Sequence, residues 1–305
     1  MDAQRTLLPD GRWHFQHGPM DILIAAQGSS ACVEAAHAAA WARFTRILDE
    51  LVQELALLRE PVQGACRLQG AIARRMWLAC QAQGEAFITP MAAVAGAVAQ
   101  ELVACYAVEG VSRAWVNNGG DIALHLTPGE SLRIGLYADL AQLSVQELVA
   151  GVRTDACFEI TSAQPVRGVA TSGWRGRSFS LGIADSVTVL ARTAAAADAA
   201  ATAIANAVNV LDPRVQRVPA HALKDDTYLG AIPVTVDVPP LEVDLVRQAL
   251  HAGLQRANDL RAAGHIWSAA LVCQNQWMGT DTPSSLASEI HADKQRLLQV
   301  GSVFA

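Results

Sequence analysis

TAAAADAAATAIANAVNVL, residues 193–211, carries a single ionisable side chain, Asp198, and places Thr202, Asn206 and Asn209 beyond it at helical spacing. At roughly 100° per residue these four fall on one narrow stripe while Ala, Val and Ile cover the other faces, which predicts a helix buried nearly all round. A carboxylate taken out of water without a partner is costly, or is neutralised by a shift of its pKa. A hard cation would supply the partner. Carboxylate and hydroxyl oxygens one turn apart, with backbone carbonyls, are ligands that Mg²⁺ accepts, so Asp198 and Thr202 are the candidate metal ligands. The competing reading is a polar stripe that faces water on an Ala-rich surface helix.

With 305 residues, 51% of them hydrophobic, the chain can bury a large core as one big domain or two fused subdomains. A net charge of -6, with 23 Lys and Arg and no basic cluster, argues against a nucleic-acid surface. No segment reads as membrane-spanning, because Ala is weakly apolar and the Asp, Thr and Asn of the 193–211 helix disfavour lipid. The opening MDAQRTLLPDGRWHF has no basic stretch followed by an apolar one, so no secretory leader is expected and the cytoplasm is the expected location. Cys32, Cys66, Cys80, Cys105, Cys157 and Cys273 show no CxxC spacing and read as reduced, buried thiols. The eight histidines are dispersed with no HExxH pair, so a zinc site is not expected.

Outward from the helix, residues 12–17 and 21–26 predict two strands around Gly18-Pro19, and Ser29 or Ser30 caps a long helix through about Arg59. Its apolar stripe of Trp41, Phe44, Leu48, Leu51, Val52 and Leu55 faces the core or a partner helix. Further helices are predicted over 66–81 and from Pro90 to about Val108. After Gly110 the pattern turns to strands: 112–117, 122–126, 132–137, 158–161, 168–171, 178–181 and 186–191 read as a meander punctuated by NNGG and TPGES turns. Beyond 211, residues 232–238 predict a strand, 241–263 a helix, 265–274 a strand, 280–285 a polar linker and 286–300 a terminal amphipathic helix. A helix ending in Gly110 before SRAWVNN echoes one ending in Gly264 before HIWSAALVCQN, the mark of an internal duplication. Residues 1–285 are expected to form a single domain and 286–305 a tail.

Three stretches together resemble the ApbE-like superfamily, whose best-known members are Mg²⁺-dependent FAD:protein FMN transferases. Residues 192–208, RTAAAADAAATAIANAV, resemble the family helix that holds the metal through an Asp and a Thr four residues later, here Asp198 and Thr202. Residues 168–173, GVATSG, resemble the strand and turn leading into the flavin site, which implies cofactor roles for Thr171, Ser172 and Gly173. Residues 116–122, VNNGGDI, resemble the family's Asn-x-Gly-Gly-Asp turn, implying roles for Asn117, Gly119, Gly120 and Asp121. The resemblance covers roughly residues 85–210 and, more loosely, the whole chain. It implies an α+β fold of two T-fold-like halves with a mixed, mostly antiparallel sheet and long helices, and FAD and Mg²⁺ as cofactors.

The residues allow these roles and plainer ones. Gly119 and Gly120 permit positive φ, so their amides could meet a phosphate, and Asp121 could orient a ribose hydroxyl; Asn118-Gly119 is equally an ordinary hairpin turn. In TSGWRGRS, Arg175 and Arg177 could supply charge to a phosphate and Trp174 could stack on a heterocycle, or the segment is a solvated basic turn.

The sequence also departs from the transferases. Where they resemble one another in Ala-Lys-Gly-Tyr-Ala-Val-Asp, residues 94–100 read VAGAVAQ, keeping Gly96 alone. Their His-Ile-Ile-Asp-Pro-x-Thr-Gly segment has no counterpart, since no histidine lies between His125 and His221. Asp185 is the carboxylate nearest that region, a candidate ligand or base, or a turn residue. The chain thus resembles a cytoplasmic side branch of the superfamily lacking the catalytic His segment. Three functions follow: an FAD- and Mg²⁺-binding transferase-type enzyme; an enzyme acting on a pterin or purine, with Asn117, Asp121 and Asn206 reading the ring edge; or a noncatalytic flavin carrier or sensor. The partners expected are a small-molecule nucleotide or heterocycle, an acceptor protein and a second copy of the chain in a homo-oligomer, with no nucleic acid and no membrane.

Overall fold

The structure is a computed structural model that describes residues 2–84, 87–136, 156–176 and 178–280. Nine strands form one sheet in the order β1-β2-β3-β4-β5-β8-β9-β12-β13, and every pairing among the described residues is antiparallel. In chain order these are β1 (Gln4–Leu7), β2 (Trp13–His17), β3 (Met20–Gly28), β4 (Val111–Asn118), β5 (Asp121–Leu126), β8 (Gly168–Ser172), β9 (Ser186–Ala191), β12 (Ser268–Cys273) and β13 (Gln276–Gly279). Two separate hairpins are made by β6 (Ser131–Leu136) with β7 (Ala156–Thr161) and by β10 (Gln216–Pro219) with β11 (Pro233–Asp237).

The helices are α1 (Ser30–Gln53), α2 (Leu55–Leu58), α3 (Ala71–Gln81), α4 (Val94–Val103), α5 (Ala194–Ala207) and α6 (Val243–Ala262). Helix α1 packs on β2 and β3, α4 on β4 and β5, α5 on β8 and β9, and α6 on β12 and β13. A strand sends alternate side chains to opposite faces. Accordingly Ala114, Val116 and Ala123 join the core under α1, α3 and α4, while Ile122, Leu124 and Leu126 join a separate cluster with Ile134, Ile160, Val169 and Leu190 on the other face, where the β6–β7 hairpin packs. A third cluster lies between α5, α6, β9 and β12.

The element order runs hairpin, helices, hairpin and then repeats: β2-β3, α1 to α4, β4-β5, followed by β8-β9, α5 and α6, β12-β13. Gly110 and Gly264, the glycines of the sequence echo, both have positive φ, 87° and 76°, and lead into β4 and β12. The two sets of strands meet at the β5–β8 seam, where Ile122 faces Val169, Ala123 faces Gly168 and Leu124 N–H donates to Arg167 O at 3.0 Å. Helices α4 and α5 cross over that seam.

The predicted long first helix stops at Glu54, whose carboxylate accepts from the Gln69 and Gly70 amides at 2.6 and 2.7 Å and so caps α3 in place of a local residue. Residues 66–70 therefore precede that helix. Pro90–Ala93 forms a 3-10 turn before α4, and Ala104–Tyr106 another after it. The strand predicted over 178–181 is absent, because this backbone bonds elsewhere: Leu181 N–H donates to Asn206 Oδ1 and its carbonyl accepts from Asn209, while Ser180 O accepts from Thr235 N–H. The predicted meander is also broken, since β6 and β7 leave the main sheet and β8 returns to β5. The terminal helix 286–300, Arg177 and the tail lie outside the described residues.

Candidate functional site

Helix α5 is buried through Ala194, Ala195, Ala197, Ala199, Ala200, Ala201, Ile204 and Ala205, and its polar stripe is half-buried against protein rather than open to water. Thr193 caps the helix, accepting from Ala196 N–H. Gly168 of β8 lets α5 begin this close to the sheet: a Cβ there would lie 2.2 Å from the Thr193 carbonyl carbon. Gly96 does the same for α4, where a Cβ would lie 2.3 Å from Ala194 O and 2.9 Å from Asp198 Cβ. Two short-contact glycines thus bring the start of α4 against the first turns of α5.

At that crossing the Gly96 N–H donates to Asp198 Oδ2 at 2.9 Å, and the Ala95 N–H also serves this carboxylate. No side chain of its own segment caps α4. Asp198, about a hundred residues away in sequence, satisfies the first-turn amides and meets the positive end of the helix dipole. It retains some accessible surface although protein atoms enclose it closely. Burial pushes its carboxyl up to about 7, against the lowering influence of the Gly96 and Ala95 amides.

A second carboxylate approaches from the sheet. In the β4–β5 hairpin, Asn118 pairs with Asp121, Gly119 and Gly120 take φ of 66° and 108°, and Asn117 Oδ1 accepts from Gly120 N–H at 2.8 Å. The turn's two central residues are Gly119 and Gly120, one position beyond the expected Asn118-Gly119, and Gly-Gly supplies the two positive φ that such a hairpin loop needs. Asn118 Nδ2 donates to Ala95 O at 3.2 Å, tying the turn to the same first turn of α4 that holds Asp198. Asp121 accepts from the Thr171 amide, keeps 9% of its surface, and has no hydrogen-bond partner for Oδ1. Burial holds its carboxyl well above the usual range, and the Asp198 charge adds to that push.

The structure therefore brings Asp121 at the end of the Gly119-Gly120 turn beside Asp198, with the Thr171 amide on Asp121; the side chains of Asn117, which pairs with Ile122, and of Thr171, whose hydroxyl meets Thr188 Oγ1 at 2.9 Å, lie on the opposite face of the sheet. Thr202 lies one turn beyond Asp198 and is half-buried. Other predicted residues are turned to different tasks. Asn206 is two turns further on, roughly 12 Å along the axis, and its Oδ1 accepts from Leu181 N–H and Ser180 Oγ. Gly173 follows Ser172 at the end of β8 and allows close approach to its own chain, since a Cβ would lie 2.3 Å from Asp185 O. Asp185 accepts from Trp174 Nε1 at 3.2 Å and from the Gln274 amide at 2.6 Å. Gln274 and Asn275 have positive φ, 44° and 62°, so Asp185 pins the tight turn between β12 and β13. Trp174 is covered by Arg175, whose Cζ sits 4.8 Å from the ring centroid.

Sequence reasoning missed Cys80, Thr89 and Tyr228, which flank Asp198 from the opposite side. The Cys80 thiol donates to Thr89 O at 3.2 Å, and burial followed by the Asp198 charge pushes it up. The Tyr228 hydroxyl faces Thr89, and burial pushes its pKa up. In KDDTYLG, Tyr228 reads as a surface turn; the one local clue is Gly96, a lone glycine inside a helix that marks close approach of another chain.

Chemically, the first-turn amides of α4 are already taken by Asp198, so they are not free to hold a phosphate. Among the described residues no group of three or more His, Cys, Asp and Glu is arranged to hold a metal. Two carboxylates and a hydroxyl nevertheless suit Mg²⁺, which keeps one or two protein carboxylates and completes its shell with water and phosphate oxygens. The orphaned Asp121 oxygen fits that ligand set. No helix among the described residues is long and apolar enough to cross a membrane.

A family model described as AbpE bacteria matches residues 5–279. A UPF0280 protein of Methanospirillum hungatei is 39% identical over 139 residues, 45% of this chain and 52% of its own length. Another, from Methanothrix thermoacetophila, is 35% identical over 179 residues, 56% of this chain and 68% of its own length. The chain spans about half the length of most of the curated relatives it matches. Among solved structures, the apo form of Pseudomonas stutzeri flavinyl transferase ApbE aligns over 96% of this chain and 97% of that one with a TM-score of 0.48 and 12% identity. The family match runs from β1 to β13 and takes in every element that builds the Asp121 and Asp198 site: the chain belongs to the ApbE-like family described as AbpE bacteria.

Proposed function

We propose that this protein binds FAD together with Mg²⁺, with Asp198 and Thr202 holding the ion, and that it performs transferase-type chemistry on the flavin nucleotide with an acceptor protein. The observation that carries the reading is the buried Asp198 carboxylate at the α4–α5 crossing, set beside Asp121 and its orphaned Oδ1. Family membership supports it. When bound, Mg²⁺ would neutralise pyrophosphate charge and favour its build-up during transfer. The protein's own contribution is positional. The β4–β5 turn and the end of β8, with Gly119, Gly120, Asp121 and Ser172, would form the wall on which the nucleotide lies. The α4 dipole, already compensated by Asp198, keeps that carboxylate fixed and aimed.

A second reading, a flavin binder without turnover, is favoured by Asp185. Its two oxygens are engaged by Trp174 and Gln274, which suits a clamp rather than a base. Calorimetric titration of FAD with and without Mg²⁺, in the wild type and in Asp198→Ala, tests the binding. Mg²⁺-dependent affinity lost in the variant supports it, whereas unchanged metal-dependent binding refutes the assignment of Asp198. Competition with pterins and purines decides the heterocycle, and incubation with a flavin-acceptor protein separates the enzyme from the carrier. The chain is further proposed to work in the cytoplasm as a homo-oligomer.

A further inference from the structure

Asp121 opens strand β5 of the first half and Asp198 lies on helix α5 of the second, yet a short chain of contacts ties them to one spot. Asp198 rests on the Gly96 and Ala95 amides, Ala95 O receives Asn118 Nδ2, and Asn118 is the cross-strand neighbour of Asp121. The Thr171 amide fixes Asp121 from β8. No cationic side chain is among the groups acting on either carboxylate. Asp121 Oδ1 is buried in a residue that keeps 9% of its surface, and has no hydrogen-bond partner among the described residues. An enclosed oxygen that nothing meets destabilises the fold, because its lost hydration is not replaced. Backbone amides explain one side of each carboxylate and leave the other unexplained.

We propose that Asp121 joins Asp198 as a second cation ligand, so that the protein takes up a divalent ion before any nucleotide arrives and presents the ion's remaining positions to the phosphate oxygens of a diphosphate-bearing ligand. This rests on the reading of Asp198 as a metal ligand, and it reassigns Asp121 from the ribose or ring to the ion. The donor set is oxygen only and carries two charges, which selects a hard divalent cation over a soft one. Because the ligands come from both halves, the ion would bridge the β5–β8 seam. The nucleotide would then be recognised through its phosphates at the ion.

The test uses the full-length, metal-stripped protein titrated with Mn²⁺ in the absence of nucleotide, with free Mn²⁺ followed by electron paramagnetic resonance. One site is expected in the wild type, weakened at least ten-fold in Asp121→Asn and lost in Asp198→Asn. If Asp198→Asn loses the ion while Asp121→Asn binds as the wild type does, the inference is overturned and the metal role of Asp198 stands. A wild type that takes up no Mn²⁺ alone also overturns it, with the FAD titration left to judge the broader reading. Binding unchanged in both variants places the ion elsewhere and overturns both. In the unmodified protein, bound Mn²⁺ should broaden the amide signals of Ala95, Gly96, Asp121 and Thr171 together. Broadening confined to α5 would count against Asp121 without recourse to any variant.

Discussion

Asp198 draws two amides of α4 and still titrates high, because its loss of water outweighs two hydrogen bonds. Its folded value of about 7 stands above the ordinary 3.8, so protonation is favoured by folding. The stability this confers is complete below about 3.8 and is lost as pH rises through about 7. In chelator, the unfolding free energy of the wild type measured relative to Asp198→Asn should therefore fall between those pH values and level off above them; saturating Mg²⁺ should remove the slope. Urea titrations across that range provide the check, and a pH-independent difference would mean the carboxyl is not under strain. Asp185 gives the opposite expectation. Asp185→Ala frees Trp174 and the Gln274 turn and should cost about 1–3 kcal/mol of stability, with FAD affinity unchanged. A large loss of affinity at constant stability would return Asp185 to the binding site. Of these residues, the sequence made Asp198 conspicuous because ionised groups are rare in an Ala-rich helix. It could not show that Asp185 is used up by Gln274, a contact spanning 89 positions.

Helices α4 and α5 approach so closely because Gly96 has no side chain, and Ala194 O occupies the place a Cβ would take. Backbone cannot yield as a flexible side chain does, so Gly96→Ala should destabilise the protein by about 1–3 kcal/mol or more and displace the amides that hold Asp198. Chemical denaturation together with Mn²⁺ affinity would show both effects; a variant with native stability and native affinity would mean the crossing has slack. This element pair also shows what patterns along a chain can carry. The helix over 194–207 and its polar stripe were legible from apolar composition and 3.6-residue spacing. The hairpin was legible from turn chemistry, although its loop is Gly119-Gly120 and lies one residue beyond the expected Asn118-Gly119. Residues 178–181 looked like a strand, yet Asn206 and Asn209 hold their backbone with side-chain bonds that no local pattern encodes. The strands β1, β10 and β13, each of four residues and none showing a buried-exposed alternation, were missed for want of one.

Across the molecule, the two hairpin-helix-hairpin sets share a continuous sheet, joined at β5–β8 by a short ladder and by Ile122 and Leu124 packing with Val169 and Leu190, and α4 and α5 cross over that join. Which faces would meet depended on Gly96 and Gly168 and could not be read from periodicity. Asp121 stands on one side of the seam and Asp198 on the other. A ligand that engages both raises the free energy of opening by RT ln(1 + [L]/Kd), about 2.7 kcal/mol at a hundred-fold excess over Kd. Hydrogen exchange measured with and without saturating Mn²⁺ should then show added protection at the start of α4, at Asp121 and Thr171, and along α5, rising by a similar factor at all of them. Protection that grew on α5 alone would mean the cation belongs to one half and leaves the seam as loose as before. If the gain is shared, the ion acts as a cross-link between the halves, and nucleotide binding at that ion would tighten the molecule at the β5–β8 seam.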